Sequence, residues 1–238
     1  MPDMKHTIAP STLTRTQIED TLVASLSPLA RLALAYAPSR HRLSTLALLA
    51  LDARLANLLR HSKEPMLAQL RMTWWRETLG QDVHNWPSGE PLLAALRSWE
   101  GEHARIIPLI DGWEALTAPA PIAEQGLLAM AKGRGEAFAA FAQAAGHAEY
   151  APDALAIGTA WGLTDLAAHL RNPEEKRAVV SLIASSPAAS SRRPLPRALR
   201  PLKVMETLSA RRFAKDSDDA GLSPMALMAA LRVGLIGR

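Results

Sequence analysis

The chain has 238 residues, of which 48% are apolar and 5% aromatic, with a net charge of +4 and no cysteine. Because Ala and Leu dominate and β-branched runs are few, this composition predicts an all-α protein, and the length favours one large domain over two small ones. The lack of cysteine excludes disulfides and thiolate metal sites, and it favours a reducing compartment.

Capping residues, prolines and a glycine mark the ends of four predicted helices in the first part of the chain. Thr16-Gln17-Ile18-Glu19 has the spacing of a capping box, and Pro38 ends the helix that it opens. Ser62 is placed to cap a helix that has Pro65 in its first turn. These four helices are predicted over about 16–36, 39–61, 62–80 and from 88 onward.

The second part of the chain predicts further helices on either side of one irregular stretch. The stretch 171–201 contains "SSPAASSRRPLPRALRP", whose Ser, Pro and Arg residues are not compatible with a continuous helix. There is no internal repeat and no strand-like alternation, so we expect one domain of nine or ten helices over residues 1–238. The helices of this part are predicted over about 122–145, 153–170, 197–212 and 223–236.

Positive charge is concentrated near the C-terminal end. Residues 171–215 hold eleven Lys or Arg and three Glu, a local charge of +8, which leaves −4 for the remainder. Such a segment can face phosphates, an anionic membrane or nucleic acid, or it can be a solvated loop. The N-terminal "MPDMKHTIAP" lacks the apolar core of a signal peptide, and no uncharged apolar run reaches 18 residues. We therefore expect a cytoplasmic protein without a transmembrane span, and peripheral contact with the inner membrane stays open.

Common catalytic and metal-binding motifs are missing from the sequence. It contains no Gly-rich phosphate loop, no HExxH and no Gly-x-Ser-x-Gly elbow. None of the seven histidines has another at i+3 or i+4, so a helical His metal site is not predicted. Asp216, Asp218 and Asp219 predict a turn, because the downstream Glu of a calcium loop is absent.

Two adjacent tryptophans, Trp74 and Trp75, stand out in a chain that is poor in aromatic residues. Neighbouring residues on a helix point about 100° apart, so the two rings meet different surroundings. Arg71 can approach either ring, which permits a cation–π contact. The pair is typical of a helix wedged between two others, or of an aromatic wall for an apolar ligand with an anionic head. Physical arguments alone favour the first interpretation.

Residues 37–79, "APSRHRLSTLALLALDARLANLLRHSKEPMLAQLRMTWWRETL", resemble the squalene/phytoene synthase family, the all-α head-to-head prenyltransferases. Pro38 and Arg42 match the family's Pro-x-x-x-Arg start, and a long apolar helix and a Trp-Trp-Arg helix follow. Residues 156–172, "AIGTAWGLTDLAAHLRN", look like a later helix of the family. The resemblance covers about a quarter of the chain and implies an isoprenoid-synthase-like helical bundle around a central cavity.

The resemblance also identifies what this chain has lost. Active members of the family carry two aspartate-rich motifs, whose magnesium ions bind the substrate diphosphate and neutralise it as it departs. Asp52 and Asp165 lie one turn from the expected positions and are only weak substitutes. No metal or cofactor is therefore expected unless the metal site is rearranged. The aspartate positions themselves are occupied by other residues: Ala56, Asn57, Arg60, His169 and Pro173.

One branch of the same superfamily, the mitochondrial complex I assembly factors, also lacks these aspartates. Leu55-Ala56 and "LRMTWWRETL" look like that branch, whereas Ala167-Ala168 departs from its usual Leu-Arg. The resemblance implies a non-catalytic protein that binds an isoprenoid or lipid, or a protein partner during complex assembly. No catalytic residue is assigned. The candidates for contact with a cavity ligand or its diphosphate are Arg42, Arg71, Trp74, Trp75, Arg76 and Arg171.

Two alternatives remain at this stage. The first is an active prenyltransferase that condenses prenyl diphosphates head-to-head with a rearranged magnesium site built from Asp52, Asp165 and Glu77. The second is a helical nucleic-acid binder that uses the basic residues 171–215. Nucleic acid is not favoured as a partner, because this segment lacks a recognition-helix signature and has little aromatic content.

Overall fold

The structure is a computed structural model that describes residues 13–62, 64–99, 101–186, 194–215 and 223–237. Within these ranges the chain forms eleven α-helices and no β-strand, which confirms the predicted all-α class. The α-helices are α1 (Arg15–Ser25), α2 (Pro28–Ala35), α3 (Arg42–His61), α4 (Pro65–Leu79), α5 (Pro91–Leu96), α6 (Ile107–Ala115), α7 (Glu124–Ala144), α8 (Ala151–His169), α9 (Pro173–Ser185), α10 (Arg200–Lys215) and α11 (Pro224–Ile236).

The single helix predicted over 16–36 is wrong, because the chain forms two helices there. Pro28 has no backbone N–H and its ring would clash with the preceding turn, so α1 ends at Ser25 and α2 restarts with Pro28 in its first turn. The Ser27 hydroxyl caps α2 by accepting a hydrogen bond from the Ala30 N–H at 3.2 Å. The capping box of α1 lies two residues earlier than predicted, at Thr14 and Gln17.

The stretch 171–201 is also more regular than predicted, because α9 occupies its first half. Proline is well tolerated in the first turn of a helix, and the side chain of Asn172 accepts a hydrogen bond from the Glu174 N–H at 2.8 Å. Residues 187–193, which hold much of the Ser/Pro/Arg content, lie outside the described residues. So do the N-terminal decapeptide and the predicted Asp216–Asp219 turn.

α7 and α8 form the centre of the bundle and cross at very short range. A Cβ atom added to Gly158 on α8 would lie 2.7 Å from the backbone oxygen of Arg134 and 2.8 Å from the Cα of Gly135 on α7. One turn further along α8, a Cβ on Gly162 would lie 2.7 Å from the Cα of Ala131. Glycines at the crossing therefore allow the two backbones to touch.

α3 passes through the same core. Its residues from Ser44 to Asp52 are all buried, as expected for a helix surrounded by others. α4 runs outside it and packs against α3 and α6. Among the described residues, no helix combines the length and the apolar character needed to cross a membrane.

Candidate functional site

A cavity of about 670 Å³ lies among α3, α6, α7, α8, α10 and the turn between α1 and α2. Its interior wall is formed by buried, mostly apolar side chains, including Leu49, Trp113, Trp161, Leu166 and Met205. Its other end is more exposed and basic, and we call this end the mouth; it contains Arg60, His169, Arg171 and Arg212. The cavity thus joins an apolar interior to a cationic opening.

A buried ionic cluster forms part of the interior wall, with Arg134 of α7 at its centre. Arg134 is only 2% exposed. Its Nε and Nη2 donate hydrogen bonds of 2.9 Å to the two carboxylate oxygens of Asp52 on α3. Its Nη1 donates a hydrogen bond of 2.7 Å to Oδ2 of Asp165 on α8. One guanidinium therefore joins carboxylates from two different helices.

Two tryptophans fix this cluster in place. The Cζ atom of Arg134 lies 4.0 Å from the ring centroid of Trp161 and 5.2 Å from that of Trp113, so cation–π attraction adds to the ion pairs. The Trp113 Nε1–H also donates a hydrogen bond of 2.9 Å to Oδ1 of Asp52. The position of each charged group is thus determined by several partners.

The protonation of the cluster follows from competition between burial and charge pairing. Burial would lower the pKa of Arg134, but the charges of Asp52 and Asp165 outweigh it and hold this pKa above its usual range. Burial would likewise raise the pKa of Asp165, but the charge of Arg134 and the hydrogen bond from His169 hold it well below its usual range. One guanidinium pairs with two carboxylates, so the cluster carries one excess negative charge.

His169, in the last turn of α8, connects the cluster to the mouth. Its Nδ1 lies 2.8 Å from the backbone oxygen of Asp165 and 3.3 Å from Oδ1 of the same residue. The hydrogen bond with the Asp165 carboxylate raises the pKa of His169, against opposition from burial and from the charge of Arg212. When this ring is protonated, it adds a positive charge to the mouth, beside the carboxylate of Asp165.

The raised pKa of His169 predicts a pH-dependent stability. A group whose pKa is higher in the folded state stabilises the fold fully below its unfolded pKa of 6.5, and this stabilisation is lost as the pH rises through the folded pKa. Because the ring is half exposed, we expect a loss on the order of 0.5 kcal/mol. Urea denaturation at several pH values should show this loss in the native protein and in a His84→Gln control. An equal loss in His169→Gln would contradict the assignment.

The structure brings one group of the sequence candidates to the cavity. α3 and α8 each present one face to it, so residues four apart on either helix line it together. The candidates on the cavity are Asp52, Ala56, Arg60, Asp165, His169 and Arg171.

The candidates around the tryptophan pair lie elsewhere, because α4 packs on the outer side of α3. Trp75 is buried, whereas Trp74 is 42% exposed, and the two rings meet edge to face at 5.0 Å. Arg76 binds Asp111 at 2.7 Å and also pairs with Glu114. The described candidates that do not line the cavity are Arg42, Asn57, Arg71, Trp74, Trp75, Arg76, Glu77 and Pro173.

Sequence reasoning missed Arg134, the central residue of the site. A usable signal was present in "LLAMAKGRGEAFAAF", where an arginine stands between two glycines in a helix of small apolar residues. A charge on the apolar face of such a helix needs a buried partner, and flanking glycines indicate close helix packing. Trp113 and Trp161 were also missed, since nothing local distinguishes them from core residues.

In the part of the chain that the structure describes, no group of three His, Cys, Asp or Glu side chains is placed to hold a metal ion. A comparison of this chain with protein-family models, with curated proteins and with solved structures finds no match.

Proposed function

We propose that this chain is a squalene/phytoene synthase-like protein that has lost catalysis and binds an isoprenoid or lipid with an anionic head in its central cavity. In this proposal it acts as a binding protein or as an assembly factor. The observation that carries the proposal is the buried Arg134, which occupies both cavity carboxylates, Asp52 and Asp165, inside a sizeable apolar cavity.

The interior of the cavity suits an apolar chain. Its volume of about 670 Å³ falls within the range of roughly 300–1,000 Å³ found for small-molecule sites. Leu49, Leu166 and Met205 offer aliphatic and thioether contacts, and the Trp113 and Trp161 rings add aromatic surface. The transfer of an elongated hydrocarbon from water to such a lining is favourable, because it removes apolar surface from water.

The charges favour an anionic head at the mouth rather than in the interior. The Asp52–Arg134–Asp165 cluster has one negative charge in excess, so it repels an anion. At the mouth, Arg60 and Arg171 can donate charge-assisted hydrogen bonds to phosphate oxygens. This polarity orients an amphiphilic ligand with its tail inward.

The residues on the cavity do not fit the magnesium ions of active prenyltransferases. Magnesium needs carboxylate or other oxygen ligands with near-octahedral geometry, but both cavity carboxylates accept hydrogen bonds from Arg134 instead. Ala56, Arg60 and His169 face the cavity where the resemblance expects aspartates. Without such ions, departure of a diphosphate loses its main electrostatic assistance. The alternative of a rearranged metal site also lacks its third carboxylate, because Glu77 is exposed on α4 and does not line the cavity.

Calorimetric titration with farnesyl diphosphate, in magnesium and in EDTA, tests this proposal. We expect equal affinity in both buffers, because arginines rather than metal ions hold the head. Arg171→Ala should weaken binding about tenfold, the loss expected for one charge-assisted hydrogen bond. Arg105→Ala, which removes an exposed arginine paired with Glu102 away from the cavity, is the matched control. Ala56→Phe should block binding by filling the cavity without changing any charge.

Two outcomes would contradict the proposal. Magnesium-dependent binding, accompanied by conversion of prenyl diphosphates to a head-to-head hydrocarbon product, would identify an active prenyltransferase. The absence of binding in both buffers would remove the ligand and leave only the role in binding a protein partner.

A further inference from the structure

Exposed apolar side chains are concentrated on two helices. Twelve large apolar side chains are exposed within the described residues, and ten of them belong to α4 or α11. The other two, Leu155 on α8 and Val180 on α9, stand apart. The ten on α4 and α11 are Met66, Leu67, Leu70, Trp74, Met225, Leu227, Met228, Leu231, Leu235 and Ile236. Exposed apolar surface of this extent indicates an interaction site.

The apolar stripe of α4 begins beside the mouth of the cavity. Met66 and Leu70 are 74% and 66% exposed and lie one turn apart on the same face, with Trp74 a turn further on. α4 starts four residues after the end of α3, whose last turn carries Arg60 at the mouth. Gln69 of α4 donates a hydrogen bond of 2.9 Å to the hydroxyl of Thr117. The neighbour of Thr117 in the sequence, Leu116, lines the cavity.

The apolar stripe of α11 begins at the same end of the bundle. The last turn of α11 lies at the start of α10, because Gly237 accepts a hydrogen bond of 3.0 Å from the Leu195 N–H and Gly234 accepts one of 3.3 Å from Arg200. The two helices are therefore antiparallel. The first turns of α11, with Met225 and Met228 exposed by 63% and 64%, lie at the end of α10 that carries Arg212 to the mouth.

The mouth lies between these two starting points and supplies the complementary charge. Arg60, Arg171, Arg212 and His169 all line it. Apolar side chains next to arginines are what an anionic bilayer binds: the former enter the boundary between head groups and acyl chains, and the latter attract the head groups. A nucleic acid would contact the arginines of this surface but would leave its apolar side chains exposed to water.

We propose that the face of the bundle around the mouth docks onto an anionic lipid bilayer through the first turns of α4 and α11. The apolar side chains of the two helices enter the bilayer surface, and the mouth arginines contact anionic head groups. Docking in this orientation places the cavity opening at the head-group layer, close to the acyl chains. The idea that a ligand passes directly between bilayer and cavity rests on the function proposed above, whereas docking itself does not.

Flotation with vesicles of phosphatidylcholine alone or with added phosphatidylglycerol tests the docking surface. We expect the full chain to float only with phosphatidylglycerol and to dissociate at high salt, because head-group attraction is screened. The double variants Met66→Ser/Leu70→Ser and Met225→Ser/Met228→Ser should each reduce the bound fraction at least fivefold. These side chains are exposed, so the fold should persist, which circular dichroism and thermal unfolding can verify. The matched control, Leu155→Ser/Val180→Ser, should float like the native protein.

Failure to float with anionic vesicles, or equal flotation of all three double variants, would overturn the proposal. Light scattering identifies the main competing occupant: a dimer that the stripe variants convert to a monomer, without vesicle binding, would assign this face to a second copy of the chain. Calorimetry with soluble farnesyl diphosphate separates the two proposals. Ligand binding without flotation rejects the docking surface alone, and flotation without ligand binding upholds docking and rejects the proposed ligand.

Discussion

Replacing Arg134 by methionine is expected to destabilise the protein by about 3–5 kcal/mol at neutral pH, the cost of breaking a buried ion pair by removing one partner. Methionine preserves much of the side-chain volume but leaves Asp52 and Asp165 without their common cation. Both carboxylates then stay in a low-dielectric interior with like charge. Urea or guanidinium denaturation followed by circular dichroism measures the change in unfolding free energy.

The pH dependence of this variant should be opposite in sign to that of the native cluster. In the native protein the pKa of Asp165 is depressed, so its stabilisation is present above the unfolded pKa of 3.8 and is lost only as the pH falls through the lower folded pKa. Without Arg134, burial and the neighbouring carboxylate of Asp52 raise the pKa of Asp165. The stability of Arg134→Met should therefore increase as the pH is lowered from about 7 to about 5.

Arg76→Met is the matched control for this experiment. Arg76 also bridges two carboxylates, Asp111 and Glu114, but all three side chains are at least 32% exposed. Solvent screens such pairs, so we expect a loss of about 0–1 kcal/mol. Adding Asp52→Asn and Asp165→Asn to Arg134→Met should restore part of the stability by removing the unpaired charges. Equal losses in the two methionine variants, or no recovery in the triple variant, would contradict the role given to buried charge.

The second large effect is expected at the crossing of α7 and α8, where Gly158→Ala should destabilise the protein by about 1–3 kcal/mol. Helix propensity alone predicts the reverse, since alanine is favoured over glycine by about 1 kcal/mol inside a helix. The added methyl group, however, would lie 2.7–2.9 Å from the backbone of Arg134 and Gly135 and from the ring of Phe138. Neither backbone can yield without separating the helices.

Gly126→Ala provides a graded comparison on α7 itself. There the new methyl group would lie 3.1 Å from Cγ2 of Ile122 and 3.3 Å from the backbone oxygen of Ala115, so both contacts are longer than those at Gly158. We expect a change within about 1 kcal/mol of zero, because the propensity gain and the mild crowding oppose each other. Thermal unfolding of both variants tests the difference, and a stabilised Gly158→Ala would show that the crossing is looser than described.

A shift of α7 in Gly158→Ala should also change the cavity. Arg134 and Gly135 are adjacent, so a shift that relieves the Gly158→Ala contact displaces the centre of the ionic cluster. Ligand affinity should fall together with stability in this variant, whereas Gly126→Ala should leave it unchanged.

The helices that were predicted well have strong local signals. Ser223 and Pro224 begin α11, Pro65 begins α4, and Gly80 follows its last residue, as expected from capping preferences. The errors occurred where two local signals compete. The helical pattern around Pro28 led to one predicted helix where the chain forms two. The prolines beyond Ser185 led to a predicted irregular stretch that also covered the residues of α9.

Some residues of the site could likewise be grouped from local spacing, whereas others could not be placed. Residues four apart on one helix must share a face, so Ala56 with Arg60, and Asp165 with His169, could be grouped from spacing alone. The tryptophan pair could not be placed, because its two faces are decided by which helices α4 packs against. Burial of Trp75 and exposure of Trp74 follow from α4 lying outside α3.

The sequence by itself determined the all-α class and most helix limits, because periodicity, caps and prolines act over a few residues. Only the tertiary structure decided the ionic cluster: Asp52 is 82 residues from Arg134, and Asp165 is 31 residues beyond it. The sequence around Arg134 does not indicate which residues the arginine pairs with. Its pairing arises from helices close-packed through glycines, which bring three distant charges and two tryptophans into one water-poor volume, where unpaired charge is too costly to persist.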